Sequence, residues 1–150
     1  VVDLSHLTEK GFWDVREIGG PLVASHSNAW ELCHSTRNLT DRQLREIGET
    51  GGIVGLNFGT LFLREDGKLD ENTPISRLVE HLRYMVDRAG AEHVGLGSDF
   101  DGTVIPKEIG TAAGVPRLIE AMESQRFTAG EIERIAYKNW LRLLREVWGE

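Results

Sequence analysis

Two histidines and two aspartates stand out by where they fall in the chain. His6 ends the run VVDLSH, His26 ends GPLVASH, and Asp99 and Asp101 lie two positions apart in HVGLGSDFDG. A neutral imidazole is a good ligand for Zn²⁺, and a carboxylate nearby can carry a proton between water and a leaving group. His6 and His26 are 20 residues apart, the length of one strand and one helix, so both rings can face the same mouth from neighbouring strands. A lone histidine in such a place is usually structural. Ionisable residues at three of four strand ends, with Asn57 at the fourth, make a shared site the expectation.

Those strand ends come from an alternation of short aliphatic runs and longer helical patterns, as in βα units around a parallel sheet. Four units are expected. VVDLSH leads to an amphipathic helix at Glu9 to Ile18, and GPLVASH leads through a long loop to a helix at Asp41 to Glu49. GGIVGLNF leads to a helix at Pro74 to Ala89, and HVGLGSDF to helices at Val115 to Glu123 and Ala129 to Trp148. Thr40 with Gln43 and Thr128 with Glu131 match capping boxes, and Thr73-Pro74 reads as a cap followed by proline in the first turn. His6, His26, Asn57 and Asp99 then fall at the C-terminal strand ends, where parallel α/β folds build active sites. The apolar face of the last helix is expected to hold Trp140 and Trp148 by packing.

Bulk properties narrow the class. The chain has 150 residues, 40% of them hydrophobic, enough for one domain with a real core. Acidic residues outnumber basic ones 24 to 17, for a formal charge of -7, which argues against nucleic-acid or anionic-membrane surfaces. A small ligand is the expected partner. One cysteine, Cys33, excludes an internal disulfide and suits a reducing compartment, so a cytoplasmic location is expected. Apolar runs fall well short of a transmembrane span. The sequence opens at Val1 directly on a strand-like run, as a fragment or a processed product would.

The segment Asp99-Phe100-Asp101-Gly102-Thr103 also spells the Asp-x-Asp-Gly-Thr signature of the haloacid-dehalogenase-like Mg²⁺-dependent phosphatases. That chemistry needs further acidic residues downstream, on later strands. Here no Asp follows Asp101, and the remaining sequence reads as loop and helices. The phosphatase is the weaker alternative.

The stronger resemblance is carried by DLSH, by SHSNA with Arg37-Asn38 shortly after it, by the Asn57-Phe58 pair, and above all by HVGLGSDFDG. Taken in order, from Val1 to Asn139-Trp140-Leu141-Arg142, these resemble the second half of the membrane dipeptidase (renal dipeptidase) family, peptidase family M19. The resemblance implies the C-terminal half of a (β/α)8 TIM barrel that holds two zinc ions and hydrolyses dipeptides, some with a C-terminal D-residue. By matching position it implies that His6 and His26 are zinc ligands and that Arg37 pairs with the substrate carboxylate. Asp99 is implied to be the catalytic acid/base. Asp101 is expected to hold the loop by capping backbone N–H groups, and Asn57 either to touch substrate or to close a strand end.

The family's first half has no counterpart here: no His-x-Asp occurs in the sequence, and two histidines alone do not complete a zinc site. Four units are half of a barrel, and a half sheet exposes edges and its inner apolar face. The expected partners are therefore a dipeptide and either the missing N-terminal half-barrel or a second copy. The chain alone is expected to be inactive, and a non-catalytic half-barrel is the third reading. His34, His81 and His93 are expected to be structural, and Cys33 a small buried hydrophobe.

Overall fold

The computed structural model describes residues 1–149. Three of its helices begin where a threonine side chain satisfies a free N–H group of the first turn. Thr8 accepts from Gly11 N–H at the start of α1 (Glu9–Ile18). Thr40 and Gln43 form a reciprocal capping box on α2 (Asp41–Glu49), and Thr128 with Glu131 forms another on α6 (Ala129–Glu133). Between them come β1 (Val23–Ala24), β2 (Ile53–Leu56), the short α3 (Thr60–Leu63), α4 (Ser76–Ala89), β3 (Val94–Leu96) and α5 (Val115–Ser124). A π-helical turn, Arg134–Lys138, runs α6 into α7 (Asn139–Trp148).

β1, β2 and β3 form a parallel sheet in that order, with Val23 opposite Ile53 and Val54 opposite Val94. The expected fourth strand, VVDLSH, is reduced to one parallel bridge between Asp3 and Val23. Leu4 N–H still donates to Val23 O, but Ser25 N–H, next in the ladder, turns to the Asp3 carboxylate while Leu4 O accepts from Leu7 N–H, and the ladder ends there. A second expectation also needs correction. The helix predicted from Pro74 starts at Ser76, because the Thr73 hydroxyl donates back to Asp70 O and caps nothing.

Side chains alternate across the sheet and make two cores. Ala24, Val54, Leu56 and Val94 pack with Leu44 and Ile47 of α2 and with Leu78, Leu82 and Met85 of α4. Val23 and Ile53 face the other way and pack with Leu143 and Trp140 of α7. The inner face expected to lie bare is thus partly covered, near the N-terminal ends of the strands, by the chain's own last helix. Trp140 Nε1 donates to Leu96 O at 3.0 Å, and Asn139 Nδ2 donates to Ala91 O and Val94 O, both at 2.7 Å. Trp148, expected to pack there, is 68% exposed and takes no part in this cluster.

Gly95 lets the helix come this close, because a Cβ there would stand 2.5 Å from Trp140 Nε1. Gly95→Ala is expected to displace the indole, break its bond to Leu96 and cost about 1–3 kcal/mol. A urea midpoint shared with the parent would show that α7 tolerates the insertion.

Three histidines have structural places, as expected. His34 stacks on Trp30 at 4.0 Å between centroids, and His93 Nδ1 donates to Gly52 O. His81 is fully buried in α4, accepting from Ala29 N–H at Nδ1 and donating from Nε2 to Leu63 O. Burial pushes its pKa down from 6.5 to about 4, against a smaller upward pull from the Leu63 carbonyl. Between those two values the unfolded chain takes up a proton that the folded chain refuses. The stability His81 contributes is therefore complete above the unfolded pKa and lost as pH falls toward 4, at about 1.4 kcal/mol per pH unit. Between about pH 7 and pH 5 the parent should lose about 2 kcal/mol more than His81→Asn does. Equal losses in urea titrations would show that His81 does not titrate this way.

Candidate active site

His6, His26, Asn57 and Asp99 all lie at the C-terminal ends of the strand runs. His6 follows the Asp3 bridge and His26 follows β1, and their Nε2 atoms stand 3.0 Å apart. Two imidazoles on one tetrahedral zinc place their nitrogens about 3.3 Å apart, so this pair fits a shared metal. Burial holds the His26 pKa below its usual value, against upward pulls from Asp99 and Asp3, and so favours the neutral ring that a metal needs. Among the described residues no third His, Cys, Asp or Glu joins them. The donor set fits a metal and leaves its remaining ligands to be supplied from elsewhere.

Asp3 and Ser25 stand behind His26. The Ser25 hydroxyl lies 2.5 Å from Asp3 Oδ2 and 2.6 Å from His26 Nδ1, and Asp3 Oδ1 accepts from the N–H groups of Ser5 and Ser25. Burial raises the Asp3 pKa, but the bonds from Ser25 and Ser5 outweigh it and leave the carboxyl below its usual value. Across the strand ends, His26 N–H donates to Ser5 Oγ.

Asp99 follows β3. Asn57, buried at the end of β2, donates from Nδ2 to Asp99 Oδ2 at 2.9 Å, while its Oδ1 accepts from Gly59 N–H. Asn57 is in turn held by Asn28, which accepts from its N–H and donates to its carbonyl. Asn57 therefore closes a strand end and aims Asp99 at once. Gly102 N–H donates to Asp99 O, and a Cβ at Gly102 would lie 2.3 Å from Asp99 Oδ1, so this turn requires glycine.

Asp101 does not cap the loop as expected. Among the described residues no hydrogen bond reaches its carboxylate; Ser98 Oγ takes the Phe100 N–H and Asp99 O takes the Gly102 N–H. His6, Asp99 and Asp101 are three of the four non-glycine residues at positive φ among the described residues, with values of 74°, 56° and 67°. Strained backbone of this kind gathers where side-chain aim is over-determined.

Arg37 comes from the long loop between β1 and α2. It lines a cavity of about 650 Å³ together with His6, Asp99 and Asp101. Its Nε and Nη2 are buried and have no hydrogen-bond partner in the protein, and its guanidinium lies over the Phe62 ring at 5.1 Å. Burial lowers its pKa, with Asp99 and Asp3 pulling it back. Nε and Nη2 form the edge of a guanidinium that meets a carboxylate side-on with two hydrogen bonds.

The structure brings His6, His26, Arg37, Asn57 and Asp99 together, and beside them it places Asp3, Ser25 and Asn28, which the sequence did not single out. The signal for them was present in DLSH and SHSN, where polar residues interrupt strand-like runs beside each histidine.

The family model described as Membrane dipeptidase (Peptidase family M19) matches residues 1–148. The chain belongs to that family. Among curated relatives, an uncharacterised protein in the pqqA 5′ region of Klebsiella pneumoniae is 48% identical over 98% of this chain and 55% of its own length. Dipeptidase AC, a metallo peptidase of family M19, superposes with a TM-score of 0.96 at 48% identity, over 99% of this chain and 44% of its own. A metallo peptidase from Rhodobacter sphaeroides, solved with a phosphinate mimic of the dipeptide L-Ala-D-Ala, gives 0.95 at 48% identity, over 97% and 42%. The chain thus spans about half the length of these relatives. Its fold is that of their barrels, in part: a parallel sheet with helices, close to half of a (β/α)8 array. The family's metallopeptidase chemistry suits the histidine pair, and the phosphatase spelling at Asp99 is accidental. Among the described residues no helix is long and apolar enough to cross a membrane.

Proposed function

We propose that the complete protein is a zinc-dependent dipeptidase and that this chain is its C-terminal half-barrel. The reading is carried by the partnerless Nε and Nη2 of Arg37, buried on the cavity that also holds His6 and Asp99. A buried cation without a carboxylate is costly, and a substrate with a free C-terminal carboxylate supplies one. His6 and His26 would hold one zinc ion, with further ligands and a second ion's site contributed by the N-terminal half. Zinc there would polarise the scissile carbonyl and acidify the attacking water.

The chain's own residues do the rest. Arg37 binds the substrate carboxylate and fixes the register of the peptide bond. Asp99 takes a proton from the attacking water and gives it to the departing amine. Asn57 engages one Asp99 oxygen and leaves the other for that transfer. The chain alone has two imidazoles where a zinc site needs at least three protein ligands, so activity requires the other half.

A substrate panel tests this reading. The complete protein with zinc should hydrolyse dipeptides, including L-Ala-D-Ala, and leave phosphomonoesters intact. Phosphate release with Mg²⁺ and no dipeptide cleavage would overturn it.

A further inference from the structure

We infer that Asp3 and Ser25 are positioning residues that fix which nitrogen of His26 faces the metal. The inference rests on the metallo-hydrolase reading above and concerns two residues that do not line the cavity and, among the described residues, make no hydrogen bond to His6.

The argument is a count of protons. An ionised carboxylate only accepts, and a serine hydroxyl has one proton to give. Asp3 Oδ2 is 2.5 Å from Ser25 Oγ, so that proton goes to Asp3. Toward His26 Nδ1, 2.6 Å away on its other side, the same oxygen can then only accept. His26 must therefore carry its proton on Nδ1, and Nε2, 3.0 Å from His6 Nε2, is left with its lone pair. In the metal-free protein that lone pair accepts from His6 Nε2–H, and a metal ion would take that proton's place. A carboxylate acting through a hydroxyl thus does for His26 what a directly bonded carboxylate does for many metal-bound histidines.

Asp3 is anchored independently of the hydroxyl. Its Oδ1 accepts two backbone N–H groups, and its backbone bridges Val23. His26 N–H is held separately by Ser5 Oγ. Ser25→Ala therefore removes the relay and leaves the loop its other ties, and Ser25→Thr keeps a hydroxyl in place.

The test uses the complete protein stripped of metal. In the parent, imidazole nitrogen NMR should show His26 as the Nδ1–H tautomer; finding it as Nε2–H would overturn the inference with no variant needed. Titration with Zn²⁺ against a competing chelator should then show Ser25→Ala binding 10- to 100-fold more weakly than the parent. Its metal-free melting temperature should be nearly unchanged, and Ser25→Thr should recover the affinity. Asp3→Asn, which keeps the shape and removes the charge, should weaken binding in the same direction. Parent-like affinity in Ser25→Ala, or a loss that Ser25→Thr does not recover, would overturn the inference. Neither readout needs a substrate, so a protein that passes here and cleaves no dipeptide would sink the dipeptidase reading alone.

Discussion

Asp99→Asn in the complete protein should lower kcat for a dipeptide by about 10²- to 10⁴-fold, the range a general acid/base supplies, or roughly 3–5 kcal/mol of barrier. Asparagine has nearly the shape of aspartate and can still accept from Asn57 Nδ2. It cannot take the proton from water. Zinc content should stay at the parent's level, because Asp99 lies outside the histidine pair. This split between turnover and metal content is the informative part. A variant that loses both would make Asp99 a ligand, and one that keeps its turnover would remove it from the chemistry.

Arg37→Met should lower kcat/KM for dipeptides by about 10²- to 10³-fold, as expected for the loss of a desolvated, two-hydrogen-bond ion pair. The same peptide with its carboxylate amidated should be a poor substrate for the parent and lose little further in the variant. Stability should move the other way or not at all. Two of the three guanidinium nitrogens of Arg37, Nε and Nη2, are buried without a partner, and burial lowers its pKa, so the folded protein bears that cost until substrate arrives. A melting temperature at or above the parent's, with weakened dipeptide turnover, is the expected pair of results. Equal losses on the dipeptide and its amide would show that Arg37 acts on something other than the carboxylate.

Much of this arrangement was legible in the sequence because it is local. The capping boxes at Thr40 and Thr128 are read within four residues, and the runs ending at His6, His26, Asn57 and Asp99 are strand-like or bordered by glycine. What the sequence hid is long-range. Asp3 bonds Ser25 across 22 positions, and Asn28 bonds Asn57 across 29. No periodicity reports such pairs. Nor does helical spacing say which face of a sheet a helix covers, so α7 came as a finding, with Trp140 packed against the inner face and Trp148 left in solvent. The first strand read correctly as aliphatic and still shrank to one bridge, because the Asp3 carboxylate takes the Ser25 N–H that would have continued the ladder.

The same distinction explains Asp101. It was expected to cap backbone N–H groups, yet the loop is held by Ser98 Oγ, the Asp99 carbonyl and Gly102, and Asp101 lines the cavity without a backbone partner for its carboxylate. The two carboxylates share a loop and differ in environment: one is aimed by a buried amide and the other is exposed.

The half-barrel brings the His6 and His26 imidazoles, the Arg37 guanidinium and the Asp99 carboxylate to one mouth, where we propose that they bind metal, anchor the substrate carboxylate and carry the proton. The direct measurement is a zinc titration of the complete, metal-stripped protein while the cleavage of L-Ala-D-Ala is followed. Activity should be absent without metal and rise with zinc until the histidine site is filled, with His6→Ala and His26→Ala each abolishing the rise. Full cleavage in the metal-stripped protein, or none at saturating zinc, would contradict the account.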